Sequence, residues 1–425
     1  MKKTTIFLTA VVTAISACGI LSAADFETDI NNVERQLAET KGAPDTDLLG
    51  LLPTPTGAKW WSVTFFGSAH IAAAKAALNF IDGDAFPDIK ATKDILKDGS
   101  NDESGHPDPS KNGGDVKALW FGKDPFFKGG VIQNYEHFKF QEAYERLGTL
   151  IHLTQDQACP VHAANVKHGI GDSFEGSYGN DVKFSAARDK GDLEPYAYYQ
   201  ALQDETRRKL PGWTDPATGA PYWVTAPDAP PFGQDVTFGP WGHYGGRNNS
   251  DLYAVPPAQD SYSSGGNNNN NTRVSARPEI RIQQLAAAGV VTVSVLQSAS
   301  RRLPPLVVDL AVAPASAAQI YQIKFGIYEN RSLRVTYTAS VYKDGKLMGL
   351  ASVGEVALGK ANPDDIMYSA QLVTNWAGAV KSGRLPPGNY IMEVRVTDTD
   401  GNTTPDEVNS DDITTNDTRA AFTII

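Results

Sequence analysis

The spacing of apolar residues changes once along the chain, and the change falls at Leu303-Pro304-Pro305. Before that point the spacing is helical. In HIAAAKAALNFI, Ile71, Ala74, Leu78 and Ile81 recur every three or four residues and share one face. The same spacing predicts a long helix over Val131–Gln157, with Tyr144, Leu147, Leu150 and Ile151 on its inner side. It also predicts helices over 184–210 and over Pro278–Arg302. After the Pro-Pro pair the period is two. Leu333, Val335, Tyr337, Ala339 and Val341 alternate with polar residues up to an Asp344-Gly345 turn. Tyr390, Met392, Val394 and Val396 alternate in the same way up to a second Asp-Gly turn. A helix buries a stripe and a half-buried strand buries every second residue, so one stretch cannot serve both patterns. The chain therefore reads as multidomain, α + all-β. A mostly α-helical domain at 60–303 is followed by a C-terminal domain at 306–425, expected to be an immunoglobulin-like β-sandwich.

The 425 residues suffice for both domains, and 41% hydrophobic content allows cores of ordinary size. Residues 1–24 read as an export signal. Lys2 and Lys3 precede an apolar run from Ile6 to Ala17 that is too short to span a bilayer in the usual way. Two processing outcomes fit. Ile15-Ser16-Ala17-Cys18 looks like a bacterial lipobox, which would leave Cys18 lipid-modified, and the small residues from Ser22 to Ala24 offer an ordinary signal-peptidase site. Either way the mature chain is expected outside the cytoplasm, as a cell-envelope lipoprotein or a secreted protein. Residues 25–59 are polar, end in LLPTPTGAK and read as a linker or pro-segment. No later segment reads as long and apolar enough for a membrane helix. Cys18 and Cys159 are the only cysteines, so no internal disulfide is expected. The net charge of -11 argues against a general affinity for nucleic acid backbone. It leaves room for an enzyme that holds phosphates through metal ions.

Chemistry concentrates at His152–Glu175, HLTQDQACPVHAANVKHGIGDSFE. This stretch holds three of the seven histidines, two aspartates and a glutamate. His152 and Asp156 stand four apart and project from one helix face. Pro160 then stops the helix, and His162 and His168 follow. In chain order the candidate metal ligands are His70, Asp102, His106, His152, Asp156, His162, His168 and Glu175, with Asp172 as a rival to Glu175. Zinc takes neutral imidazole and carboxylate oxygen, and a catalytic site leaves a position for water. Cys159 reads as a small residue before Pro160, with a zinc thiolate as the other reading. The Gly, Asp, Pro and Asn-rich stretch at 97–130 and the stretch from Pro211 to Asn271, which ends in GGNNNNN, read as long loops.

The phrase HLTQDQACPVHAAN carries a resemblance. His-x3-Asp, five residues, then His within Pro-x-His-Ala-x-Asn looks like the zinc-dependent phospholipase C and S1/P1 nuclease superfamily. The pattern extends over residues 60–300, and its specific part is 147–178. The resemblance implies that the helical domain is phospholipase C/P1 nuclease-like and holds three zinc ions that serve phosphodiester hydrolysis. It implies that His152 and Asp156 match the pair in which the aspartate bridges two zincs. His162 matches the first ligand of the remaining zinc, and His168 and Glu175 match the later His and Glu of that zinc. The spacing departs from the family, which usually has His-x3-Glu. Here His168-x3-Asp172 keeps the short spacing, whereas Phe174-Glu175 keeps the aromatic-Glu phrase. Glu175 is the preferred ligand, with Asp172 then an N-cap that Glu175 completes as a capping box.

Upstream, the resemblance implies that His70 is the family's first histidine and that His106, in GHPDP, is its loop histidine. Asp102 is implied as the loop aspartate, a metal ligand and the general base, with Asp98 and Glu103 as rivals. The family also binds metal through the amino and carbonyl groups of an N-terminal tryptophan. Trp60 or Trp61 would take that role after cleavage near Lys59, and the other reading packs both in the core.

Outside this set, His137 reads as a helix-surface or packing residue and His243 as a loop residue near a cleft mouth. Trp213, Trp223, Trp241 and Tyr244 either line a lipid- or base-binding surface or anchor a long loop. The functional expectation is an exported zinc-dependent phosphodiester hydrolase of phospholipase C type. Its partners would be a phospholipid or another phosphodiester and a membrane surface, with no stable nucleic-acid partner. The alternatives are an S1/P1-type nuclease and a zinc-stabilised surface lipoprotein or adhesin without catalysis.

Overall fold

The computed structural model describes residues 69–101, 114–122, 129–164, 182–214, 219, 221–225, 243–244, 278–316, 320–362, 365–405 and 417–425. All of them belong to one compact unit that spans residues 55–425. Cys18, Trp60, Trp61, Asp102, Glu103, His106, His168, Asp172, Glu175 and Trp241 lie outside the described residues.

Helices come first and antiparallel strands second. The helices are α1 (Ala69–Phe80), α2 (Pro87–Ala91), α3 (Lys93–Gly99), α4 (Gly114–Phe121), α5 (Val131–Glu136), α6 (Phe140–Asp156), α7 (Pro160–Ala163), α8 (Ala197–Lys209) and α9 (Pro278–Arg302). α1 buries Ala74 and Leu78 as its spacing predicts, while Ile71 is only half-buried. α2 opens on Pro87, whose missing N–H costs nothing at a first helical position. α9 has the bounds its spacing predicts. By length and composition it is also apolar enough to cross a membrane, contrary to the sequence expectation. In the apolar window, 72% is buried inside the protein, where α9 packs on α1, α6 and α8 as a core helix.

The single helix expected over Val131–Gln157 is two helices. The break is at Phe138, which takes a left-handed φ of 60°. Phe138 N–H donates to Tyr135 O and Lys139 N–H to Asn134 O, which closes α5 with the hydrogen-bond pattern usually built on glycine. The Phe138 ring offsets that cost by packing on Phe140 and Tyr328. The stretch read as a loop at 97–130 contains the end of α3 and all of α4. The helix expected over 184–210 is confined to α8, because residues 182–196 run against α9 in irregular turns. There Ser294 and Ser298 Oγ donate to the carbonyls of Asp189 and Leu193.

Two short strands, β1 (Trp223–Val224) and β2 (His243–Tyr244), pair within the stretch read as a loop. The remaining strands form two larger sheets. One has the order β11 (Arg419–Ile424), β10 (Gly388–Thr397), β5 (Arg334–Lys343), β6 (Lys346–Ala357). The other has the order β3 (Leu306–Ser316), β4 (Ile320–Glu329), β7 (Tyr368–Trp376). A small hairpin, β8 (Ala379–Val380) and β9 (Gly383–Arg384), pairs separately, and its Val380 enters the core of the sheets. The β5–β6 turn is Asp344-Gly345, both with positive φ, as a two-residue hairpin demands. Val335, Tyr337, Ala339 and Val341 from β5 and Met392, Val394 and Val396 from β10 enter one core with Ile323, Phe325 and Ile327 from β4. Leu333 precedes β5 and is exposed, contrary to the alternation read from the sequence.

Candidate metal centre

Three of the candidate ligands come together. His70 from α1 and His152 and Asp156 from α6 each offer a ligand atom, and these atoms all lie within 4.8 Å of one another. All three residues are buried, with relative exposures of 1%, 5% and 7%. The i, i+4 spacing of His152 and Asp156 puts them on the same face of α6, as read from the sequence. His70, far away in sequence, arrives because α1 lays its alanine-rich face in the core.

The approach of α3 to α6 also shapes the site. Gly148 and Gly99 meet backbone to backbone, and a Cβ added at Gly148 would stand 2.8 Å from Gly99 Cα. One residue after Gly99, the carbonyl of Ser100 lies 3.0 Å from His152 Nδ1, one turn along α6 from Gly148. His70 Nδ1 lies 3.0 Å from Gln155 Oε1. Each histidine thus turns Nδ1 towards a protein oxygen and Nε2 towards Asp156. His70 Nε2 stands 3.4 Å from Asp156 Oδ1, and His152 Nε2 stands 3.7 Å from Oδ2. The two rings are 4.1 Å apart, centroid to centroid.

A backbone carbonyl only accepts hydrogen bonds, so His152 Nδ1 carries a proton. In its neutral form the ring then presents its Nε2 lone pair towards the Asp156 carboxylate. Two lone pairs and an anion converging in a buried space repel one another unless a proton or a cation lies among them. Neutral imidazoles held by their far nitrogen, with a carboxylate beside them, are the usual zinc donor set. The residues present therefore fit a metal ion, and the centre as described offers a carboxylate with one oxygen facing each histidine.

The other candidates among the described residues fall elsewhere. His162 is half-buried on α7, outside the three-residue group. α6 ends at Asp156, before Pro160, and Pro160 opens α7 instead. Proline still accounts for the break, since it holds Cys159 in extended geometry (φ -75°, ψ 123°). Cys159 is fully buried in the apolar core and outside the metal group. Asp98 has an exposed side chain and is 3.9 Å from Lys97 Nζ. His137 caps α5, its Nδ1 2.6 Å from Gln133 O. Trp223 is buried and meets Trp213 and Tyr222 edge-on, so these aromatics anchor the chain that follows α8.

Sequence reasoning overlooked the polar residues of α6 that hold the site in place. Besides Gln155, Gln157 Oε1 accepts from Gln203 Nε2 on α8, and the Ala158 carbonyl accepts from Gln284 Nε2 on α9. Four glutamines are buried there, Gln155 in the last turn of α6, Gln157 just after it, Gln203 on α8 and Gln284 on α9, and only their partners on other helices single them out.

No family model and no curated protein matches the chain. Among solved structures, beta-glucosidase 3B from Thermotoga neapolitana in complex with alpha-D-glucose shows 16% identity over 28% of this chain, with a TM-score of 0.18. The chain spans 16% of that enzyme's length. A similarity of this size carries no argument about fold or activity.

Proposed function

We propose that the chain is an exported zinc-dependent phosphodiester hydrolase of phospholipase C type. Its helical part would be the phospholipase C/P1 nuclease-like domain and its sheets an immunoglobulin-like sandwich. The observation that carries this reading is the division of Asp156 between two histidines, Oδ1 towards His70 and Oδ2 towards His152. A carboxylate spans two metal ions in that manner. It is also the arrangement that the His-x3-Asp phrase implies.

In this reading His70, His152 and Asp156 would hold two of three zincs, joined by Asp102, His106 and Trp60. His162, His168 and Glu175 or Asp172 hold the third. Zinc there supplies a Lewis acid for phosphoryl oxygens and lowers the pKa of its water to about 7. The chain's own part is to keep both imidazoles neutral, to balance the metal charge with Asp156, and to seal the site with the buried side chains of α1 and α6. Asp102 is the proposed proton acceptor. The net charge of -11 disfavours a polyanionic substrate, so a phospholipid is preferred to single-stranded nucleic acid.

Elemental analysis of the purified protein, with hydrolysis of phosphatidylcholine and single-stranded DNA measured side by side, tests the reading. Three zincs and chelator-sensitive phosphatidylcholine hydrolysis are expected. DNA hydrolysis alone would move the assignment to the nuclease. A single zinc with neither activity would make the centre structural.

A further inference from the structure

We propose that Gln155 and Thr292 are positioning residues that decide which ring nitrogen of His70 carries its proton, and so whether that ring can bind a metal. The inference rests on the metal reading of the centre and adds how one of its ligands is set.

The logic starts at the far end of a hydrogen-bond chain. The Ala288 carbonyl of α9 can only accept, and Thr292 Oγ1 lies 2.7 Å from it. A hydroxyl has one proton, so Thr292 spends it there and must accept from its next neighbour. That neighbour is the side-chain amide of Gln155, 2.9 Å away, which therefore turns its NH2 to Thr292. The Gln155 carbonyl is then left facing His70 Nδ1 at 3.0 Å. An acceptor at that point requires Nδ1–H. The neutral ring keeps its lone pair on Nε2, aimed at the Asp156 side of the centre. Gln155, Thr292, Ala288 and His70 are all at most 1% exposed, so bulk water has no ready access to the relay.

His152 reaches the same tautomer by a different route, directly from the Ser100 carbonyl. No side-chain substitution removes that backbone oxygen. The route to His70 runs through two side chains and can be broken without touching a ligand. Without Thr292, the Gln155 amide is free to rotate by half a turn and present NH2 to Nδ1. The ring would then carry its proton on Nε2, donate it to Asp156 and lose its ligand lone pair.

Thr292→Val removes the hydroxyl at nearly constant shape, Gln155→Met breaks the relay from the other side, and Thr292→Ser restores it. Zinc affinity of the full chain is measured by competition with a chromophoric chelator. The His70 tautomer is read by 15N NMR on zinc-free protein at about pH 8, above the imidazole range. Thr292→Ser should match the wild type in both readouts. Thr292→Val and Gln155→Met should shift His70 towards the Nε2–H form and weaken zinc binding about 10- to 100-fold, the usual effect of losing a residue that orients a ligand. Should Thr292→Val fail to fold, Gln155→Met decides alone. A folded variant with unchanged tautomer and affinity overturns the proposal. A wild-type chain that binds no zinc overturns the metal centre itself and with it this role. An Nδ1–H signal at His70 would then show the relay to be intact but serving packing alone.

Discussion

The helices and the sheets handle polar groups in opposite ways. In the helical part, His70, His152, Asp156, Gln155, Gln157, Gln203, Gln284 and Glu205 are buried among the core helices. Between the two sheets the core is aliphatic and aromatic throughout. The buried polar residues of that region sit at strand ends, as Glu329 and Asn330 do, or face outward, as Glu393 does between Arg395 and Arg419. Burying a polar group is costly unless it is paired, and a sheet core that carries none avoids that cost. A region that carries many needs a use for them or a complete set of partners. The contrast places the buried polar clusters among the helices and leaves the space between the sheets to apolar packing.

The largest effect that tests this contrast is at the centre. If the proposed function holds, His152→Ala and Asp156→Ala should each lower phosphodiesterase activity by about 10³-fold or more, since a bound metal would contribute several kcal/mol of charge stabilisation. Steady-state assays paired with zinc content check this, and activity that survives either change would end the catalytic reading. Next in size, Phe325→Ala in the sheet core should cost about 3–5 kcal/mol of stability while leaving zinc content unchanged, as measured by denaturant unfolding. If that variant also lost zinc, the division of labour would fail.

Third is a pH effect at Glu329. Burial raises its pKa from 4.5 to about 8, helped by the carboxylates of Asp398 and Asp88 and opposed by the N–H groups of Arg331 and Ser332. The folded state holds this proton more tightly than the unfolded state does. Its contribution to stability is therefore fullest below about pH 4.5, declines as the pH rises towards 8 and is flat beyond. The span is on the order of 5 kcal/mol, and Glu329→Gln should flatten the melting temperature across that window. The smallest effect is at Val353, an apolar residue of β6 that is 65% exposed. Val353→Thr should change stability by less than about 0.5 kcal/mol by thermal melting. A larger loss would mean that this surface is covered in solution.

Much of this contrast was legible in the sequence, and what escaped has identifiable physical causes. Period two over β5 and β10 and period 3.6 over α9 reflect faces that the core imposes on every residue, so pattern alone recovers them. The break at Phe138 carries no glycine or proline, and it depends on Tyr328, a residue of β4 nearly two hundred positions away. α4 and β1–β2 lie in stretches rich in turn-forming residues, where local preference pointed to loop and tertiary contacts decided otherwise. His152 and Asp156 were visible as an i, i+4 pair. Gln155 stands between them with nothing in its neighbourhood to mark it, because both its partners, His70 and Thr292, come from other helices.

Asp88 gives the two regions a common fate. Its carboxylate accepts from Tyr144 on α6 at 2.6 Å, from Ser300 on α9 at 2.7 Å and from Asn330, just after β4, at 3.0 Å. The Phe138 and Phe140 rings of the helical part also meet Tyr328 of β4. A gene segment ending at the Pro-Pro pair would deliver a helical protein with a buried carboxyl group short of one hydrogen-bond donor and a bare aromatic patch. Exchange of one half for an unrelated one would leave the same defect. The two architectures therefore share one seam through Asp88 and Asn330, and separating them there is expected to destabilise the helical part.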